Sequence, residues 1–400
     1  MKNILLLSTL YPADDVRFLN NTSVCHYFTK EWKEMGYNVR VVFLYYNFPR
    51  YYYPLLHLLR NRLASSGGIA VLDKYLPKEH TYTMDGIKVT RIPVKKTRPG
   101  GAFIQDEQKN KTERIILLLE SEGFVPDAIL GHFLRPCADV ISQLKTVYNV
   151  PTAVSLHGKE RTVDPSILRC KNGIDLWGYR SEPIGRCFEA LYGQQNHFYC
   201  FSGVSAEYIS ATSKQFKNGV HKFIYVGNLI KRKHPTCIVP AVAKACNRQE
   251  FCITYVGEGS ERRSITNVVS KLKIQDRVIF TGRLKRDEVT KELYKADVFV
   301  MLSTDETFGL VYLEAMARGC IVIASKDEGM DGIINHGVNG FLCEAGDSDE
   351  LATIITSLNN MTSNQLEEIS KQALTTAANM TDKKMAEAYI KTIEQYGKEG

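Results

Sequence analysis

Short blocks of consecutive apolar residues alternate along this chain with stretches in which apolar positions recur every three or four residues. The blocks at 4–7, 39–45, 127–130, 151–156 and 197–201 hold many β-branched and aromatic side chains and are bounded by turn residues, which predicts strands buried on both faces. Between them, 22–35 (closed by Gly36) and 137–147 carry helical periodicity, and the block at 197–201 is expected to enter a Ser-capped helix. From residue 222 the pattern starts afresh, with strand-like blocks at 222–227, 251–257, 277–280, 298–302 and 321–324 and a helix over 235–247. Strands alternating with helices predict parallel sheets covered on both faces. The fold class is therefore α/β, with two Rossmann-like doubly wound domains facing across a cleft and ligand sites at the carboxyl ends of the strands. The expected domains are 1–218 and 219–380, with a hinge at 216–220 and a last helix within 381–400 that crosses back to the first domain.

Length agrees with this division, since 400 residues exceed what one core usually organises. The opening apolar run is too brief for a signal peptide, and no apolar stretch approaches the roughly 18 residues of a membrane span, so a cytoplasmic protein is expected. Ten cysteines without a CxxC pair or metal-ligand spacing read as small core residues in a reducing compartment. Charge is uneven. Residues 1–220 carry a balance of +8 and residues 221–400 one of −1, and the segment 50–98 alone holds 10 basic and 3 acidic groups. So local an excess implies an anionic partner. Nucleic acid is excluded as that partner, because the basic segment lacks a recognisable reading module.

The strongest chemical signal is the run from Thr304 to Gly319. A strand ends before it, a short loop holds Glu306, and a helix starts near Gly309, where free N–H groups would meet a phosphate directly. Glu314, further along that helix, can accept hydrogen bonds from both hydroxyls of a ribose, and Glu306 is placed to meet a transferred sugar. On spacing alone, a solvated helix carboxylate and a helix N-terminal charge explain this pair equally well. After the strand at 222–227, Gly227 and Asn228 precede Lys231, Arg232, Lys233 and His234, a glycine and a basic cluster suited to a diphosphate. Gly257, Gly259, Gly282 and Arg283 sit at two further strand ends that suit the border of a base. In the first half, His157 lies where a buried strand opens into a turn, followed by Gly158.

These residues resemble the retaining glycosyltransferases of family 4, whose fold is the GT-B arrangement. The resemblance rests on the paired glutamates Glu306 and Glu314, on Thr307-Phe308-Gly309-Leu310, on 314–319 and on 333–342, and it covers nearly all of 221–350. It is thinner in the first half, at 127–132, His157-Gly158 and 202–208. It implies that Glu314 binds the donor ribose and Glu306 the donor sugar. Backbone N–H groups of Gly309, Leu310 and Val311 would hold the diphosphate, Lys233 the phosphate, and His157 would lie near the transferred sugar. Phe308, Gly227, Gly257, Arg283 and Arg232 complete the expected donor site. The implied reaction retains anomeric configuration and uses neither cofactor nor metal, with a nucleotide sugar, by the family's habit a UDP-sugar, as substrate. Asp347 and Asp349 form an Asp-x-Asp, but they open a helix after Gly346, which explains them without a metal.

Two departures stand out. Asn228 occupies the position of the family's phosphate-binding arginine, so Arg232 or Lys231 must supply the charge. The glycine-rich loop after the first strand is replaced by 9–17, with Pro12, Asp14 and Asp15. On the acceptor side, 45–63 mixes tyrosines, leucines and arginines, as an anionic leaflet would require, and is expected to hold the enzyme at the inner membrane face near a lipid-linked or glycan acceptor. An insertion that packs on its own domain is the plainer reading. Asn228 also keeps open a non-catalytic sugar-nucleotide-binding subunit, and a GT-B epimerase is a further rival.

Overall fold

The computed structural model describes residues 2–15, 22–54, 75–97, 105–217, 219–246 and 250–399. Two compact units result, one made of Met1–Arg180, Ile184–Cys200 and Met385–Gly400, the other of Ser181–Pro183 and Phe201–Lys384.

The first unit is built on a sheet of eight strands. They are β1 (Asn3–Ser8), β2 (Asn38–Asn47), β3 (His80–Met84), β4 (Ile87–Lys95), β5 (Ala128–His132), β6 (Thr152–Leu156), β7 (Leu176–Tyr179) and β8 (His197–Tyr199), in the order β3-β4-β2-β1-β5-β6-β7-β8. Every pairing is parallel except the β3–β4 hairpin, which turns at Asp85-Gly86 with both residues at positive φ. Strand β1 shows why the apolar blocks are continuous. Its Ile4 and Leu6 enter one core with Phe28, Trp32, Val41 and Phe43, whereas Leu5 and Leu7 enter another with Val42, Leu44, Ile115 and Phe188. Alternate side chains thus meet helices on opposite faces, and neither face tolerates a polar residue. The first of these cores is completed from the far end of the chain. Helix Asp382–Glu399 brings Tyr389, Ile390 and Ile393 into it. Trp32 Nε1 donates to Ala386 O at 2.9 Å, and the Tyr389 and Ser155 hydroxyls lie 3.2 Å apart.

The second unit holds six strands, all parallel: β9 (Lys222–Val226), β10 (Cys252–Val256), β11 (Val278–Gly282), β12 (Val298–Val300), β13 (Ile321–Ser325) and β14 (Phe341–Cys343), in the order β11-β10-β9-β12-β13-β14. In each sheet the order reverses once, between β1 and β5 in the first and between β9 and β12 in the second. Such a reversal leaves a crevice outside the carboxyl ends, the usual seat of a ligand in open α/β sheets.

Two expectations are corrected. The chain passes into the second unit after Cys200, not at 216–220. Residues 201–217 belong there because Ser210 N donates to Ala317 O and Lys214 N to Ser370 Oγ. Asn218 lies outside the described residues. The helix expected after 201 is a single 3-10 turn, Ala206–Tyr208, whose N-cap Ser205 makes no side-chain cap bond. The hairpin β3–β4 was not assigned from the apolar pattern, although Asp85-Gly86 between alternating residues carries the signal of a tight turn.

Candidate active site

The chemistry-bearing residues of the second unit gather at the carboxyl ends of β9 and β12, the two strands that flank its reversal. After β9 the chain turns through Gly227 and Asn228 into the 3-10 turn Lys231–Lys233. After β12 it enters the loop of Glu306 and then helix Leu310–Ala317. Lys233 Nζ lies 3.3 Å from Glu306 Oε2 and 3.5 Å from Met301 Sδ. Arg232 Nη1 donates to the carbonyls of Thr304 (3.3 Å) and Asp305 (3.4 Å) and stands 3.9 Å from Glu306 Oε2. The sequence therefore brings Arg232, Lys233 and Glu306 together across a separation of more than seventy residues. Asn228 contributes its carbonyl, which accepts from the Tyr225 hydroxyl at 2.8 Å. Its neutral side chain leaves the positive charge here to Arg232 and Lys233.

Three glycines explain how the strand ends fit. A Cβ at Gly257 would collide with the Gly227 carbonyl, and one at Gly259 with the Leu229 carbonyl. Gly257 N donates to Gly282 O, and Gly227 N to Val256 O, so the three strand-end turns are stitched to one another. Backbone is thereby packed on backbone, where any side chain would push the turns apart. Arg283, beyond Gly282, is exposed.

The Glu306 loop is held from below by a residue the sequence did not single out. Glu328 Oε1 accepts from Asp305 N at 3.1 Å and Oε2 from Glu306 N at 2.9 Å. Glu328 is buried, and Asp305 sits at φ +54°, a conformation unfavourable for a residue with a Cβ. The carboxylate holds the loop in that strained shape by satisfying two of its donors. Spacing offers no sign of this, because Glu328 follows β13 and meets the loop only in the folded sheet. The next residue, Gly329, is confined by the backbone of Phe308. Phe308 is buried, with its ring stacked on Phe201 at 5.9 Å between ring centroids.

Gly309 is the N-cap of helix Leu310–Ala317, at φ +80°, with no side-chain cap bond. The Tyr312 ring covers it so closely that a Cβ would clash, and the Tyr312 hydroxyl in turn donates to Met301 O at 2.7 Å. The first amides of this helix, at Gly309, Leu310 and Val311, have no acceptor in their own helix, as at any helix start, and the dipole there favours an anion. Glu314, one turn on, takes a 2.8 Å hydrogen bond from Arg286 Nη2 on Oε1. Arg286 lies over the Tyr208 ring at 5.1 Å and was likewise absent from the residues picked by sequence. By contrast Asp347 caps helix Ser348–Asn360, accepting from Asp349 N and Glu350 N, while Asp349 pairs with Lys244.

In the first unit the matching edge carries two histidines. His132 ends β5 opposite Ser8 of β1, and His157 follows β6. His132 Nδ1 and His157 Nε2 are 2.9 Å apart, and Phe133 stacks on His157 with ring centroids 3.9 Å apart. Burial, followed by the charge of Arg180, pushes His132 down to about 3, and the same causes hold His157 well below the usual imidazole range. Both rings are therefore neutral at neutral pH. Of the segment 45–63, residues 45–54 are described. Tyr45, Phe48 and Tyr53 are buried, the Tyr53 hydroxyl donates to Asn47 Oδ1, and Arg50, Tyr51 (72%) and Pro54 are exposed. The described part thus packs on its own unit, and 55–63 lies outside the described residues. Among the described residues, no helix is long and apolar enough to cross a membrane.

Residues 210–375 match the family described as glycosyl transferases group 1. Among curated relatives, N-acetyl-alpha-D-glucosaminyl L-malate synthase of Bacillus anthracis is 40% identical over 129 residues, covering 32% of this chain and 33% of that protein. Alpha-monoglucosyldiacylglycerol synthase of Streptococcus pneumoniae is 30% identical over 143 residues, 36% of this chain and 32% of the relative. The chain thus spans about a third of the length of these curated relatives. The crystal structure of Anabaena HepE in complex with UDP aligns over 99% of this chain and 100% of its own, with a TM-score of 0.68 and 17% identity. The fold is GT-B, as the sequence predicts.

Proposed function

We propose that this GT-B chain, a glycosyltransferase by family whose group 1 domain spans residues 210–375, moves a sugar from a nucleoside diphosphate sugar to an acceptor with retention of configuration. The observation that carries the reading is the convergence of Lys233, Arg232 and Glu306 beside the uncapped start of helix Leu310–Ala317, at the reversal of the second sheet. When the anomeric C–O bond breaks, negative charge grows on the diphosphate. Two cations and a helix N-terminus fixed in advance stabilise that charge without reorganising, which is the main lever such a site has on rate. The cations stand where a metal would otherwise be required, and the reading assigns the reaction no metal or other cofactor. Glu306 faces the sugar, and Glu314 with Arg286 faces the ribose. Because HepE was solved with UDP, a UDP-sugar is the favoured donor.

On the acceptor side, the reading assigns His157 of the first unit a role toward the transferred sugar. A lipid-linked or glycan acceptor at the cytoplasmic membrane face is supported by the basic excess over 50–98 and by the lipid product named for the pneumococcal relative. Nucleotide release from a panel of nucleotide sugars, with and without acceptor lipids and with EDTA present, tests the whole reading. Turnover of one donor that falls at least a hundredfold in Glu306→Ala is the expected result. Tight nucleotide binding without turnover across the panel would instead favour the non-catalytic binding subunit, the reading that Asn228 suggests.

A further inference from the structure

The two imidazoles at the carboxyl edge of the first sheet have a chemistry that neither carries alone. His132 is wholly buried, between the rings of Phe28 at 5.6 Å and Tyr389 at 5.9 Å, and its Nε2 has no hydrogen-bond partner in the protein. Its Nδ1 faces His157 Nε2 at 2.9 Å. Two neutral imidazoles share one hydrogen bond only if one nitrogen of the pair carries the proton and the other does not. If His157 donated, the remaining proton of His132 would sit on Nε2, a buried N–H without an acceptor. If His132 donates, Nε2 is merely an unused lone pair. Orphaned buried N–H groups are the rarer and costlier case.

We infer that His132 is a positioning residue: it donates Nδ1–H to His157 Nε2 and holds His157 as the neutral tautomer protonated at Nδ1. Nδ1 of His157 is then a hydrogen-bond donor and not a base. Phe133, stacked on the same ring, fixes its plane, so the tautomer and the orientation are set by neighbours in chain and sheet. The role in reaction rests on the glycosyltransferase reading; the tautomer does not.

The full chain with ¹⁵N-labelled histidine separates the two, because long-range proton–nitrogen correlation spectra assign each imidazole tautomer without any substrate. The His157 signals should show Nδ1–H at neutral pH. His132→Phe, whose ring suits the aromatic surroundings, should lose that single tautomer and lower kcat about tenfold, with the donor KM within twofold. His132→Asn, which offers an amide donor near the position of Nδ1, should restore the tautomer and most of kcat. A His157 protonated at Nε2 in the unaltered protein would overturn the proposal. So would phenylalanine and asparagine variants with the same spectrum and the same kcat. The expected tautomer in a protein that turns over no donor would overturn the transferase reading, and the catalytic consequence with it, while leaving the pair itself established.

Discussion

The two sheets carry different candidate residues at the strand ends that flank their reversals, although both are built mainly of parallel strands. At the edge of the second, cations and carboxylates lie close together: Lys233 and Arg232 at 3.3 and 3.9 Å from Glu306, Glu328 on the Glu306 backbone, Arg286 on Glu314. At the edge of the first, two neutral imidazoles lie among aromatic rings. A leaving diphosphate needs fixed charge, and charge is retained in a fold only where partners surround it. A sugar or an acceptor hydroxyl needs orientation and the exclusion of water, which rings and uncharged donors supply. On the transferase reading proposed above, the same topology serves two kinds of chemistry, and the difference lies in what the turns carry.

The units differ equally in how they are closed. The second is continuous from Phe201 to Lys384 apart from the three residues Ser181–Pro183, whereas the first borrows its last layer from Met385–Gly400. Removing residues 385–400 therefore strikes one region and spares the other. It exposes the core around Trp32 and Phe28 by deleting Tyr389, Ile390 and Ile393, at about 2–5 kcal/mol for each large side chain lost. Calorimetry of the truncated chain should show the first unit without a cooperative transition, and nucleotide binding should survive in the second. Coincident loss of both would mean that the two regions do not fold independently.

A smaller intervention tests whether the charged edge depends on being held. Glu328→Ala leaves the amides of Asp305 and Glu306 without their carboxylate, and hydrogen bonds to a charged group are worth about 1.5–3 kcal/mol. We expect kcat to fall about 10–100-fold, with Glu328→Gln intermediate because one oxygen is kept. Unchanged turnover in Glu328→Ala would show that Lys233 and Arg232 alone order the loop.

How far the sequence foretold these edges follows the same division. Strands buried on both faces, such as β1 and β13, write themselves as unbroken apolar blocks, and Gly309 with Glu306 and Glu314 falls within one short run. Local pattern was enough for those. It failed wherever a partner comes from elsewhere in the chain. Glu328 reaches back 22 residues to Glu306, Arg286 meets Glu314 across 28, and His132 meets His157 across 25. The boundary after Cys200 was hidden because residues 201–217 join the second unit through a backbone bond from Ser210 to Ala317 and one from Lys214 N to the Ser370 hydroxyl, which no composition shift announces.

The smallest effect is expected from a carboxyl buried in the first unit. Asp139, on helix Leu134–Tyr148, is 8% exposed and takes a 3.0 Å hydrogen bond from Gln108 Nε2. Burial raises its carboxyl to about 6, against an ordinary value of 3.8, and the positive charge of Arg169 offsets this only in part. The folded state thus binds the proton more tightly than the unfolded chain. The contribution of Asp139 to stability is highest below about 4, falls as pH rises from there to about 6, and above that carries the full penalty of the ionised group, at most about 3 kcal/mol. Asp139→Asn removes the charge and should raise the stability of the first unit by about 1–2 kcal/mol at pH 7.5, with little change at pH 4, in denaturant titrations at the two values. An equal shift at both would trace the gain to packing and not to ionisation, and would leave the first unit without a charge that its apolar character penalises.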